Sequence, residues 1–414
     1  MMACSMFALS ASSRIRRARV FTALTLPLAF IAGWSHPAVA TEAESSKRKV
    51  EFARSPQRFG GLPALTLRRQ RTGDGSKLEF LSVTVLPGRG MDVFQITADL
   101  PGRGETALLE SPSLEEASKI FGGPEDQFGN QTFHMGAAFL IPFANRVLGD
   151  LPTGDKPVTA QWGQTTLHLI PNFPSTEPDV HHFAIHGMLS SERADHVLNH
   201  SIANGGVIEG IFHCGDFHGH WLSQTDVSIR ISLTEDEVLL SARARNVGKE
   251  AEPMGIGSHP YFRVISGDRA QVRLHVPAAS RAAVDNYTDV FPTGAVLPVE
   301  GTAYDLRAPE GVAIGQLSLD DNWTDLNRDP SGAATTLMID PSGHLGLRLA
   351  ALSPEVSAIQ VYAPRDKSFV AIEDQFNLND PFGKEWKGRP NGMVELSPGE
   401  SVTWKQSLKL FVPQ

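Results

Sequence analysis

The chain has 414 residues, 41% hydrophobic and 20% charged, which supplies a large core and argues against disorder. Its formal net charge of −9, with no long run of Lys or Arg, makes nucleic acid and anionic membrane surfaces poor partners and favours a neutral small molecule. Thirty-seven Gly and 28 Pro fall between short β-branched runs, where turns are needed, and favour an all-β class.

In chain order, the first 40 residues read as a secretory signal peptide. Arg14, Arg16, Arg17 and Arg19 form a basic cluster, an apolar run extends from Val20 to Trp34, and Ala38-Val39-Ala40 resembles a cleavage site. The run is short and broken by Pro27, so export is favoured over an uncleaved anchor, and the residues after Arg16-Arg17 fit a twin-arginine signal poorly. The predicted destination is periplasmic or extracellular, with no stable membrane association after cleavage. Removing residues 1–40 strips four arginines and no acid, taking the net charge from −9 to −13. Cys4 leaves with the signal and Cys214 stands alone, so no intrachain disulfide is expected.

Thr41 to Gln57 is polar with little periodicity and reads as a flexible lead-in, leaving residues 58–414 as one domain. Predicted strands follow at Leu78–Leu86, Asp92–Ile96, Thr165–Ile170, Val227–Leu233, Val238–Ala244 and Val272–Val276, then at Leu345–Ala350, Ala358–Tyr362, Phe369–Ile372 and Val402–Phe411. Only Leu114–Ile120 invites a helix. Strict alternation across Val227-Ser228-Ile229-Arg230-Ile231-Ser232-Leu233 predicts an antiparallel sheet with one buried face. No fixed repeat or linker divides the chain. Loops at 150–157 and 171–178 are long enough to build a site.

Two segments carry titratable groups in stiff surroundings. In Gly255-Ile256-Gly257-Ser258-His259-Pro260-Tyr261-Phe262, proline restricts His259 to an extended backbone and two aromatics follow, an arrangement suited to a sugar face. In Ala371-Ile372-Glu373-Asp374-Gln375, a carboxylate emerges at the end of an apolar run. Taken singly, each segment also fits a strand-end His satisfied by backbone or a solvated loop acid.

These two segments and three others occur in the order found in the aldose 1-epimerase, or galactose mutarotase, family, which the chain resembles from about Val83 to Trp404. Phe143-Ala144-Asn145-Arg146 is similar to the family's Asn-Arg motif and Ile185-His186-Gly187 to its His-Gly motif. Ser258-His259-Pro260-Tyr261-Phe262 resembles the segment of the catalytic histidine. Leu319-Asp320-Asp321-Asn322-Trp323 is similar to an Asp-containing loop, with Trp323 where the family usually has Phe. Glu373-Asp374-Gln375 resembles the stretch of the catalytic base, with Asp374 in place of the usual Pro.

The resemblance implies a large antiparallel β supersandwich and an aldose 1-epimerase that interconverts the α and β anomers of a free aldose. It further implies Glu373 as base and His259 as acid, with Asn145, Arg146, His186 and Asp320 holding hydroxyls and Tyr261 or Trp323 packing on the sugar. Mutarotation removes the O1 proton, protonates ring O5, rotates about C1–C2 and re-closes; one base and one acid suffice, without metal or cofactor. An imidazolium beside a carboxylate would keep both groups charged near neutral pH. The preferred aldose and the oligomeric state are not legible.

Other readings are weaker. Eight of the 14 histidines lie between His181 and His220, but no His-Glu-x-x-His pattern or closed tetrahedral spacing supports a metal there. Pro-Gly-Arg-Gly at 87–90 and 101–104 opens no helix and lacks a P-loop lysine, so these are read as turns and a hexose-phosphate 1-epimerase is a lesser alternative. No Gly-x-Ser-x-Gly elbow occurs. A noncatalytic carbohydrate-binding protein would not need the acid and base together.

Overall fold

The computed structural model describes residues 50–149, 157–173 and 183–413. The signal expected over residues 1–40, residues 41–49 of the lead-in, His181, His182 and most of the loops at 150–157 and 171–178 lie outside them. Among the described residues, strand alternation organises the chain. In Thr225–Leu233 the side chains of Val227, Ile229, Ile231 and Leu233 are buried while the residues between them reach solvent, and Val238–Asn246 repeats the pattern beside it. A strand that turns alternate side chains to one face needs only that face covered.

The largest sheet has nine strands, in the order His196–Ile202, Gly205–Gly215, Thr225–Leu233, Val238–Asn246, Ser401–Phe411, Leu345–Ala351, Ala334–Asp340, Arg273–His275 and Val312–Ala313. A seven-stranded sheet runs Pro292–Pro298, Ala278–Val284, Leu319–Leu326, Ala358–Ala363, Phe369–Gln375, Gly257–Arg263 and Ala137–Leu140. A five-stranded sheet takes the strands from Val50–Phe59 to Gly104–Ala107 in sequence order. Their strand pairings are antiparallel, so the fold is the expected all-β sandwich.

Trp404 of the nine-stranded sheet meets Phe139 of the seven-stranded sheet edge-on, ring centroids 6.1 Å apart, and donates its indole N–H to the Asp374 carbonyl at 3.0 Å. The core therefore lies between these two sheets. Leu114–Ile120 forms the expected helix, with Ser113 and Glu116 in a capping box that stabilises its first turn by about 1 kcal/mol. The Pro-Gly-Arg-Gly segments make turns, Arg89 N–H donating to Leu86 and Arg103 N–H to Leu100. No described helix is long and apolar enough to cross a membrane.

One expectation is corrected. Residues 50–57, read as part of the lead-in, form most of the strand Val50–Phe59 against Leu62–Arg69. Backbone pairing holds this segment, and Val50 and Phe52 pack on the core while its polar residues stay at the surface. Its sparse apolar content hides the strand from a periodicity reading.

The seven-stranded sheet departs from simple alternation because Phe369–Gln375 and Gly257–Arg263 are buried almost throughout. One face of this sheet meets the core; the other lines a cleft. The polar residues it carries there, Asn322, Gln360, Glu373, Gln375 and His259, are buried as well. Buried polar groups need partners or a task.

Candidate active site

Parity along Phe369–Gln375 separates two neighbouring acids. Val370, Ile372 and Phe376 join the core, and Asp374 goes with them, accepting from Gln406 Nε2 at 2.8 Å. Glu373 faces the other way, into the cleft. Register then assembles the site. Gly257 pairs with Gln375 and Tyr261 with Ala371, which sets His259 across from Glu373; Gln360 pairs with Glu373 on the other side, and Asn322 with Gln360. A parallel row holds Asp320, Tyr362, Ala371 and Tyr261. Side chains directly opposite on one face are near neighbours.

The imidazole Nε2 of His259 lies 3.2 Å from Oε1 of Glu373. Gln375 Nε2 donates to Glu373 Oε2 at 2.7 Å and fixes the carboxyl from behind. Tyr261 lies alongside, its ring 4.5 Å from that of His259 and its hydroxyl donating to the Phe133 carbonyl at 3.1 Å.

Asn145 and His186 come from outside the sheet, where Arg146–Val147 pairs with Ala184–Ile185. Both take left-handed backbones, φ +62° and +57°. Asn and His enter that region more readily than most residues, and such backbones concentrate at functional sites. The two residues hold each other: His186 N–H donates to the Asn145 carbonyl at 2.9 Å, and Asn145 N–H donates to His186 Nδ1 at 3.2 Å. Gly187 follows at φ +71°, and a Cβ there would stand 2.1 Å from the Ile141 carbonyl oxygen, so glycine is required to aim His186.

A closed ring of polar contacts lies beside the acid pair. Arg146 donates to Asp320 Oδ2 and to Asn145 Oδ1, both at 3.1 Å. Gln360 donates to Asp320 Oδ1 at 2.6 Å and accepts from Asn145 Nδ2 at 3.2 Å. Every member is oriented by two others, as a site that must read hydroxyl geometry requires.

Burial dominates the electrostatics. It raises Glu373 well above the usual carboxylate range, helped by the charge of Asp320, and lowers His259 to about 3. His186 is likewise held well below an ordinary histidine, by burial first and then by His259 and Arg146. Burial therefore works against the charge-separated pair expected from the sequence and favours the neutral form of each group. Taking two charges out of water costs more here than their attraction returns.

His186, His259 and Glu373 offer three donor atoms within 4.8 Å of one another, a spacing open to a metal ion. The Asn145 N–H on Nδ1 of His186, however, puts the proton of a neutral ring on Nε2. That nitrogen is then a hydrogen-bond donor rather than a metal ligand, and the set suits hydroxyls better than a cation.

The cleft holding these groups has a volume of about 220 Å³. A larger hollow of about 740 Å³ lies beside residues 159–163 and 380–391, but none of the predicted site residues lines it.

The sequence profile of the aldose 1-epimerase family matches residues 109–409. The chain belongs to the aldose 1-epimerase family. Solved structures agree on the fold: a galactose mutarotase-like protein from Clostridium acetobutylicum is 17% identical, with a TM-score of 0.66 over 88% of this chain and 99% of that one. Galactose 1-epimerase from Lactobacillus acidophilus is 16% identical, with a TM-score of 0.60 over 89% and 100%. An aldose epimerase homologue from C. elegans is 14% identical, with a TM-score of 0.61 over 82% and 97%. Among curated protein sequences, none matches.

Of the eight residues that the aldose 1-epimerase motifs nominate, seven line one cleft: Asn145, Arg146, His186, His259, Tyr261, Asp320 and Glu373. Trp323 does not. It is fully buried in the core, its indole N–H donating to the Tyr304 carbonyl at 3.1 Å. Leu319–Leu326 is a strand, and residues three apart on a strand point to opposite faces, so Asp320 in the cleft sends Trp323 away from it.

Gln360, Gln375, Tyr362 and Tyr287 are additions that sequence reading missed. Gln360 had a signal, a lone uncharged polar residue inside the apolar run Ala358–Tyr362. Of the histidines between 181 and 220, only His186 among those described reaches the cleft. His213 pairs with Asp226, His218 with Glu192, and His220 with the His168 carbonyl.

Proposed function

We infer that this aldose 1-epimerase family member is an active mutarotase that interconverts the anomers of a free aldose. The observation carrying this reading is the 3.2 Å contact between His259 and Glu373 beside the Arg146–Asp320–Gln360–Asn145 ring. O1 and O5 are both bonded to C1, so their base and acid must stand side by side. A binding protein needs the polar ring but not this pair.

The pair holds one proton. A bound sugar donates its O1–H to Glu373, which favours the carboxylate, and offers O5 to Nε2–H of His259, which favours the imidazolium. The proton then rests on His259, and Glu373 removes the O1 proton while His259 protonates O5. Ring opening follows, C1–C2 rotates, and closure on the other face reverses both transfers, returning the pair to its starting state. Arg146, Asn145, Asp320 and His186 hold the hydroxyls meanwhile. Arg146 is the sole Arg or Lys among the described lining residues and is already tied to Asp320 and Asn145, which favours a neutral sugar over a sugar phosphate.

Anomer exchange of several aldoses, followed by polarimetry or ¹³C NMR, tests the reading. Wild type should accelerate exchange, and Glu373→Gln and His259→Ala should each lower kcat by about 10²- to 10⁴-fold. No acceleration by wild type would overturn the enzyme claim, and an unchanged rate in either variant would overturn that residue's role. We further propose export to a periplasmic or extracellular location, on the basic, apolar and Ala-x-Ala pattern of residues 1–40. N-terminal sequencing of the mature protein should begin near Thr41.

A further inference from the structure

We propose that the outer face of the nine-stranded sheet is a docking surface for a polyuronate, a polysaccharide that carries one carboxylate on each sugar ring. This surface lies outside the cleft and does not depend on the mutarotase reading.

Four neighbouring strands, Thr225–Leu233, Val238–Asn246, Ser401–Phe411 and Leu345–Ala351, turn alternate apolar residues into the core, so the charged residues they carry fall on the other face. These are six cations, Arg230, Arg243, Arg245, Arg348, Lys405 and Lys409, and one acid, Asp226, in a chain whose formal net charge is −9. All six cations are exposed. Register lays them out as an array: Arg230, Ser241 and Lys405 form one row across three strands, Ser228, Arg243 and Thr403 the next, and Arg348 stands opposite Lys409. Neighbours are about 5 Å apart across the strands and about 7 Å apart along them. Little of this charge is neutralised. Arg230 pairs with Glu209 at 3.3 Å and Lys409 with Glu237 at 3.6 Å. Among the described residues, Arg243, Arg245, Arg348 and Lys405 form no ion pair; Arg243 donates to the Ser401 hydroxyl at 3.0 Å, and Asp226, opposite Arg245, is held by His213 at 2.9 Å.

Like charges held this close on a rigid sheet repel one another, and a partner bearing negative charge at the same spacing relieves that repulsion. A guanidinium fork takes a carboxylate through two parallel hydrogen bonds, and a polyuronate supplies one carboxylate per ring, at intervals comparable to the spacing of neighbouring strands. The hydroxyls of Ser228, Ser241 and Thr403, interleaved with the cations, both donate to and accept from sugar hydroxyls. Other polyanions fit less well. Charges act over a Debye length of about 8 Å, so a single polysaccharide chain along the array meets mainly its cations, whereas an anionic bilayer also meets the acidic remainder of the surface. Nucleic acid finds no open aromatic platform: Phe411, the one ring these strands turn outward, lies under the Arg348 guanidinium, 5.6 Å from it.

Biolayer interferometry on immobilised polygalacturonate and alginate tests the proposal, with wild type, the double variant Arg243→Gln/Lys405→Gln, and a control, Lys119→Gln/Lys387→Gln, that removes the same charge from exposed positions elsewhere. Wild type should bind, more weakly as salt is raised. Arg243→Gln/Lys405→Gln should bind about tenfold more weakly, the loss expected of two exposed ion pairs, with circular dichroism and the rate of glucose anomer exchange as in wild type. The control should bind as wild type does, and saturating glucose should leave the wild-type affinity unchanged. No binding by wild type, equal binding by the two double variants, or displacement by glucose would overturn the proposal. Duplex DNA, dextran sulfate or phosphatidylserine vesicles bound as tightly as the polyuronates would also overturn it, by showing a face that reads charge alone.

Discussion

His259 and Glu373 face each other across adjacent antiparallel strands, Nε2 to Oε1 at 3.2 Å, with both side chains buried. Because burial lowers His259 to about 3 and raises Glu373 well above its usual range, the pair keeps one proton across the neutral region. A second proton is added only near the acid limit, and the single proton is lost only at a pH far above that of an ordinary carboxylate. The profile of kcat/KM should therefore be flat from pH 5 to pH 7 and fall below about pH 4. An inflection near 6.5, where an ordinary histidine titrates, would contradict this assignment.

Gln360 bridges Asp320 and Asn145. Gln360→Ala should free both from their common tether and weaken sugar binding, raising KM about tenfold, since lost hydrogen bonds to charged or buried partners cost on the order of 1–3 kcal/mol. Because Gln360 does not supply the transferred proton, kcat should fall less than KM rises. Steady-state polarimetry separates the two.

Trp323 belongs to the core and not to the sugar site, so Trp323→Phe should act on stability. Loss of the bond to Tyr304 and of ring volume should cost about 1–3 kcal/mol, seen as an earlier transition in denaturant. KM should stay within about twofold, as befits a change outside the cleft. A larger rise in KM with little loss of stability would return Trp323 to the sugar site.

Asp374 is buried against Gln406 and raised to about 7, first by desolvation. Its unfolded value is about 3.9, so the folded state holds the proton more tightly and unfolding releases it. Its ionisation consequently removes stability progressively as pH rises from about 4 to about 7, and no further above that. Asp374→Asn should gain on wild type over this interval, by about 1–3 kcal/mol at pH 8, measured by chemical denaturation at several pH values. A difference between the two proteins that does not change with pH would refute this.

Much of the fold was legible because alternation is local. Val227–Leu233 and Val238–Ala244 announce one buried face whatever their neighbours, and Leu114–Ile120 forms the one predicted helix. The site was legible through short motifs whose backbone demands are also local, such as the left-handed turn at His186 followed by a glycine that alone fits against Ile141. Tertiary structure decided the rest. Long-range register put Gln360 beside Glu373, burial came to oppose the charges expected of the pair, and strand parity turned Trp323 and Asp374 into the core. Sequence by itself determined which side chains share a strand face; only the pairing of distant strands determined which face met the core and which opened onto the cleft, because hydrogen bonding between strands fixes neighbours that no local period encodes.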